Sequence, residues 1–273
     1  MKKTVGIVGC GAIGSALARG LERDCQDAAK IVALVDVDQR AARILQQRLA
    51  SHPPIVTLQE LIRRSSIVVE AAEASAAPRV ARLALAAGRD VLIMSTGGLL
   101  TSSEWQRVAK RSRGRLHIPS GALAGIDGVK AMAGGTIRRL LLTTRKPPQA
   151  LASAPFVRAH RLQLNRLRRP KVLFEGSPAE VVRAFPQNTN VAATAMLAAS
   201  SVRGRRPLMT VRVVADPTIR TNRHELEVEG KQGRMRCAIE SRPSAANPKT
   251  SQVAIDSALV TLKQLFNPIR VGT

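Results

Sequence analysis

Residues 4–21 run TVGIVGCGAIGSALARGL, and the architecture of the first half of the chain can be worked out from them. Thr4 to Val8 is a short apolar run of the length a buried parallel strand needs. Gly9-x-Gly11-x-x-Gly14 follows, and then Ala16, Leu17 and Leu21 recur at helical spacing. A glycine-rich turn between strand and helix lets backbone N–H groups approach a pyrophosphate, and the helix N-terminus adds a favourable dipole. Glycine also serves tight strand–helix turns for purely steric reasons, so the motif alone is weak.

Its context strengthens it. A second apolar run, IVALVDVD, ends in acid, and Asp36 lies 22 residues after Gly14. Dinucleotide-binding folds place there the carboxylate that accepts hydrogen bonds from the adenosine ribose. A solvated acid at a strand end is the plainer alternative. The candidate cofactor-binding residues of this half are therefore Gly9, Gly11, Ala12, Ile13, Gly14 and Asp36. A carboxylate at 36 repels a 2′-phosphate, which favours NAD. Arg40 is near enough in sequence to soften that repulsion, so NADP stays open.

The alternation continues. QRAARILQQRLA reads as helix, SIVVEAA as strand, AAPRVARLALAAG as helix, DVLIMS as strand, SSEWQRVAKRS as helix and RLHIP as strand. The order implies an α/β fold with a Rossmann-type doubly wound parallel sheet. Loops at the carboxyl ends of its strands face the ligand. That places Glu70–Ser75, Ser95–Gly98 and Pro119–Gly121 toward the nicotinamide half, with ordinary turn chemistry as the alternative for each.

After residue 120 the pattern changes. SGALAGIDGVKAMAGG is small and glycine-rich, as a domain crossover would be. IRRLLLTTRK and VLFEG read as strands. Ser177-Pro178-x-Glu180 has capping-box spacing, and NVAATAMLAAS reads as a small-residue helix. LMTVRVVAD, HELEVEG and RMRCAIES alternate as antiparallel strands. In NPKTS, Asn-Pro ends a strand and Thr250 or Ser251 caps a closing helix. The expected division is a dinucleotide-binding domain over 1–119, closed by the C-terminal helix 248–273, and a second, α+β domain over 120–247.

Composition bounds the rest. With 273 residues and 45% hydrophobic content the chain can bury a sizeable core, although it has no tyrosine and only 2% aromatics. No apolar run of about eighteen residues is present, so no transmembrane helix is expected. MKKTVGIVGCGAIG faintly resembles a signal peptide, but the glycine spacing and the lack of a small-residue cleavage site argue against one. Cys10, Cys25 and Cys237 are odd in number, distant and without metal spacing, so a reduced cytoplasmic protein with no metal is expected. The formal charge of +24 attracts anions of every kind, from dicarboxylates to nucleic acid. Few aromatics leave few platforms for stacking bases, so nucleic acid is not an expected partner beyond weak non-specific binding.

At this point the segments GIVGCGAIG, IPSGALAGIDGVKA, TTRKPP, FEGSPAEVVRAFPQNTNVAAT, DPTIRTNRHELEVEG and NPKTS are similar, in order and over most of the chain, to the L-aspartate dehydrogenases. The resemblance implies NAD(P)-dependent oxidation of L-aspartate to iminoaspartate, which hydrolyses to oxaloacetate and ammonia or feeds quinolinate and NAD synthesis. It implies that His224 is the catalytic histidine, that Ala124 and Asn190 contact the cofactor, and that the protein is a homodimer. An exposed sheet in the second domain would suit a dimer. The basic run Arg158–Lys171 departs from the more acidic character expected there.

His224 on its own reads as a structural or exposed histidine at the head of a strand. The chemistry gives it a use: the substrate amine must lose a proton before hydride leaves, and the imine needs activated water. One imidazole with a pKa near neutrality performs both without heavy tuning. Glu225 points to the opposite face of a regular strand and is a poor orienting partner. Arg145, Lys146, Arg220 and Lys249 are candidates for the substrate carboxylates, but in so basic a chain each reads more readily as a solvated surface charge, and none is assigned to the site. Two other functions compete: a dinucleotide-dependent dehydrogenase or reductase of another small acid or imine, and a non-catalytic basic protein that binds a cofactor and nucleic acid.

Overall fold

A computed structural model describes residues 2–186, 189–200, 207–244, 247–269 and 271–272, with the backbone alone at 247–249. It divides into two compact units, Met1–Pro119 with Ile255–Arg270, and Ser120–Ala254 with Val271–Thr273.

The first unit runs β1 (Lys3–Val8), α1 (Ala12–Asp24), β2 (Ala29–Val35), α2 (Gln39–Arg48), α3 (Leu58–Arg64), β3 (Ile67–Glu70), α4 (Ala77–Ala86), β4 (Asp90–Ile93), α5 (Glu104–Ala109) and β5 (Leu116–His117). Its strands form one parallel sheet in the order β2-β1-β3-β4-β5. The α/β expectation therefore holds. The chain steps from β1 outward to β2 and then returns past β1 to β3, so the crevice at the carboxyl ends opens between β1 and β3. α3 has no counterpart in the sequence reading; Thr57 caps it by accepting from Glu60 N at 3.3 Å. Val5, Ile7, Leu34, Ile67, Val69 and Leu92 bury the strand faces against Leu17, Ala18 and Leu21 of α1. Ile255, Ala258 and Leu262 join that same core from the closing helix, Gln252–Phe266.

The second unit runs α6 (Ile126–Ala133), β6 (Ile137–Lys146), α7 (Pro148–Leu151), α8 (Pro155–Ala159), β7 (Lys171–Gly176), α9 (Pro178–Ala184), α10 (Thr189–Ala199), β8 (Met209–Ala215), β9 (Asn222–Gly230), β10 (Gly233–Ser241), β11 (Pro243–Ser244) and β12 (Asn247–Ser251), and α11 (Gln252–Phe266) begins in it. The sheet order is β10-β9-β6-β8-β7. The expected run of three antiparallel strands is half right. β9 and β10 pair antiparallel, but β8 lies beyond β6 and pairs with it in parallel. Strand pairing here is set by the apolar faces that must meet, not by order in the chain.

Leu140, Leu142, Val211, Val213, Leu226 and Val228 line one face of this sheet and pack on Val129, Val181, Ala192 and Ala195 from α6, α9 and α10. The other face is laced by cross-strand ion pairs, among them Arg212–Glu175 at 2.7 Å and Arg236–Glu227 at 3.1 Å. The capping box at Ser177 and Glu180 is present at the start of α9. The NPKTS expectation is corrected: the segment is itself strand β12, paired with β11, and the buried Ser251 hydroxyl has no hydrogen-bond partner among the described residues, so it caps nothing. No helix among the described residues is long and apolar enough to cross a membrane.

Candidate functional site

In the first unit the glycine loop closes on itself. Gly9 sits at φ +95°, and a Cβ there would stand 2.5 Å from the Ala71 backbone at the end of β3. A Cβ at Gly14 would lie 1.8 Å from the Gly9 carbonyl, so only hydrogen lets α1 pack this close to its strand. Gly11 is different: a Cβ there would meet nothing within 4 Å. The space beside this exposed residue is therefore open. The N–H groups of Ala12, Ile13 and Gly14 precede the first bond of α1, which Ser15 N donates to Gly11 O at 2.9 Å.

Asp36 is drawn into this loop. Its Oδ2 accepts from Cys10 N at 2.5 Å and its Oδ1 from Asp38 N at 2.9 Å, so the carboxylate is locked beside the turn. Arg40, exposed in the first turn of α2, has its N–H on Asp38 instead, at 2.9 Å. Burial pushes the Cys10 thiol up to about 12, with the Asp36 charge adding to the effect, so this cysteine stays a thiol. The loop thus has the three glycine functions and the acid that a dinucleotide needs.

Sequence reasoning named the Glu70–Ser75 and Ser95–Gly98 loops but missed what joins them. The fully buried Glu70 carboxylate accepts from Ala72 N at 2.9 Å and Ser95 N at 3.1 Å. Burial raises its pKa, against the lowering effect of those donors. Glu70 therefore ties the loop after β3 to the loop after β4, and Ser95 Oγ donates to Ala72 O at 2.8 Å to complete the tie.

In the second unit His224 is the third residue of β9, near the head of that strand as expected, and is only 6% exposed. It lies opposite Thr144 on β6 and Ile239 on β10. Nδ1 is 3.1 Å from Thr144 Oγ1. Side chains alternate along a strand, so Thr144 and Lys146 share the face of Leu140 and Leu142, and His224 shares it from across the ladder. Lys146 is likewise 6% exposed. Burial pushes its ammonium down to about 8. Burial first, and the Lys146 charge second, push the imidazole of His224 down to about 3. The expectation of an imidazole without heavy tuning does not hold, because the site is dry and already contains a cation.

The other named residues separate. Glu225 faces the opposite side, where it takes Arg145 at 2.8 Å and Arg223 at 3.0 Å. Arg145 is thereby engaged, and Arg220 is exposed. The Lys249 side chain lies outside the described residues. Lys146 is not the solvated charge that the basic composition suggested. Its signal was parity: in LLLTTRK it falls on the same alternate positions as Leu140, Leu142 and Thr144. Ala124 lies half-buried in the loop before α6 and Asn190 lies exposed in the first turn of α10, a helix that packs on α6. Arg158, Arg161, Arg166, Arg168, Arg169 and Lys171 are all exposed. Among the described residues no group of His, Cys, Asp and Glu could hold a metal.

Comparison with known proteins bears on both units. Residues 9–119 match the family model for the homoserine dehydrogenase NAD-binding domain, and residues 127–265 match that for the aspartate dehydrogenase C-terminal domain. The L-aspartate dehydrogenase of Methanosarcina barkeri is 39% identical over 273 residues, covering 98% of this chain and 99% of the relative. L-aspartate dehydrogenase 3 of Bordetella bronchiseptica is 37% identical, with 98% and 97% coverage. The crystal structure of aspartate dehydrogenase from Thermotoga maritima superposes with a TM-score of 0.74 at 25% identity, covering 100% of both chains. The first unit is an NAD-binding domain, and its glycine loop and Asp36 fit that cofactor. With both units matched and the full length covered, the chain belongs to the L-aspartate dehydrogenase family.

Proposed function

We propose that the protein catalyses the reversible NAD-dependent oxidative deamination of L-aspartate to iminoaspartate, with His224 as the proton-transfer group. The observation that carries this is the buried polar trio Thr144, Lys146 and His224 on an otherwise apolar sheet face. Ionisable groups perturbed both by desolvation and by a specific neighbouring charge, as His224 is by Lys146, cluster at functional sites. Gly9, Gly11, Ala12, Ile13, Gly14 and Asp36 would hold the cofactor, Asp36 through the ribose hydroxyls, and the family resemblance adds Ala124 and Asn190 as cofactor contacts. Bound NAD supplies the hydride acceptor, and the protein supplies orientation.

Thr144 engages Nδ1 and leaves Nε2 of His224 to exchange protons. A neutral imidazole takes the proton from the substrate ammonium, which frees the nitrogen lone pair as the Cα–H bond breaks. In hydrolysis the same ring activates water against the imine and then returns a proton to the leaving amine, giving oxaloacetate and ammonia. Iminoaspartate trapped before hydrolysis would supply quinolinate and NAD synthesis. A carboxylate at Asp36 favours NAD, and NADP use is the lesser activity. A homodimer and a cytoplasmic location complete the proposal; the free thiols of Cys10, Cys25 and Cys237 suit a reducing compartment.

The test is direct. Purified protein with L-aspartate and NAD should form reduced nicotinamide, read by its near-ultraviolet absorbance. His224→Ala should lower kcat by about 10²–10⁴-fold, the usual worth of general acid–base catalysis. Unchanged turnover in that variant would remove His224 from the mechanism.

A further inference from the structure

Lys146 is 6% exposed, and among the described residues its ammonium has neither an ion-pair partner nor a side-chain hydrogen bond. Unpaired buried charges are costly, and proteins normally supply a counter-ion. The two acids nearest along the ladders are committed elsewhere. Asp216, whose N–H donates to the Lys146 carbonyl at 2.9 Å, spends its Oδ1 on Thr218 N at 2.9 Å and Thr218 Oγ1 at 2.6 Å. Its Oδ2 faces Arg145 at 3.8 Å. Glu225 is held by Arg145 and Arg223 on the far face of the sheet. On the near face Lys146 has Thr144 and His224 for neighbours, neither of them an anion. Pro147 follows directly and ends the strand, so the lysine is held at the tip of β6.

We propose that Lys146 is the fixed cation for a carboxylate of the substrate, and that the missing counter-ion of this buried ammonium arrives with the ligand. The proposal rests on the assignment of the second unit's polar trio as the substrate site. It explains why a lysine stands on a core face. It also gives the site a selectivity: an anion next to Lys146 is matched, whereas a neutral or cationic group leaves the charge bare. The arriving carboxylate cancels the repulsion that Lys146 exerts on His224, so the imidazole gains basicity when substrate is present.

Succinate, a dicarboxylate that cannot be oxidised at an amine, serves as the binding probe on the NAD-loaded protein, measured by calorimetry. Lys146→Met keeps the length and apolar stem and removes the charge, so it should fold at least as well as the parent. It should lose succinate binding and raise KM for L-aspartate by about 30- to 5,000-fold, the range for truncating one partner of a buried charge pair. kcat at saturation should change much less. Lys146→Arg keeps a cation and should retain part of the succinate affinity. Unchanged succinate affinity and KM in Lys146→Met would overturn the proposal, as would a wild type that binds no dicarboxylate. If the wild type binds succinate through Lys146 but does not oxidise L-aspartate, the anchor stands and the assigned reaction falls.

Discussion

Protonation of His224 should unfold the second unit in mild acid. The imidazole is pushed from an ordinary 6.5 down to about 3 by burial first and the Lys146 charge second. The sign follows from proton counting. Between those two values the unfolded chain carries a proton on this ring and the folded chain does not, so stability falls as pH drops through the window. Above the unfolded value the ring is neutral in both states and the dependence vanishes. One proton is worth ~1.4 kcal/mol per pH unit once the unfolded ring is fully protonated, so the descent from about 6.5 to about 4.5 removes roughly 2 kcal/mol. That is a large share of the ~5–15 kcal/mol available to a domain. The comparison is with His224→Gln, whose amide can still meet Thr144 Oγ1 but does not titrate. Urea unfolding should be followed by far-ultraviolet circular dichroism, because the single tryptophan, Trp105, reports the first unit only. Parent minus variant should drop by roughly 2 kcal/mol over this range, the other histidines and the carboxylates cancelling in the difference. Parallel pH profiles for the two proteins would refute the dry, cation-flanked environment assigned to His224.

The glycine loop yields two contrasting outcomes. Gly14→Ala puts a methyl 1.8 Å from a backbone carbonyl and should lower the melting temperature by an amount equivalent to ~3 kcal/mol, whereas Gly11→Ala meets nothing within 4 Å and should fold normally while NAD affinity, measured by fluorescence titration, drops about tenfold or more. Equal stability loss in the two variants would contradict the division of labour between packing and cofactor approach. Asp36→Ser removes the carboxylate that Cys10 N and Asp38 N hold in place. It should shift kcat/KM from NAD toward NADP by about tenfold or more, as expected when a repulsive charge leaves a phosphate-sized site; an unaltered ratio would place the discrimination elsewhere.

Much of the first unit's secondary structure could be read from residue order, because its elements are local. A five-residue apolar run followed by Gly9-x-Gly11-x-x-Gly14 states strand, turn and helix within one short window, and each later strand and helix carries its own period. The helix at Leu58–Arg64 escaped because its seven residues hold too little of a helical period to stand out from a loop. The second sheet was less legible. Nothing along the chain says that β8 lies beside β6 in parallel, since that pairing joins segments more than sixty residues apart and depends on which apolar faces close over α6, α9 and α10.

The polar trio divides along the same line. The alternation in LLLTTRK already assigned Thr144 and Lys146 to the face of Leu140 and Leu142, because a strand's period of two is a property of the backbone. Whether that face was wet or dry at its tip was a matter of what packed over it. Burial of Lys146 without a counter-ion and the ring of His224 set against Thr144 exist only once β9 has folded beside β6. Composition argued for a solvated lysine; packing made it a buried one, because burial belongs to the assembled fold while charge belongs to the residue.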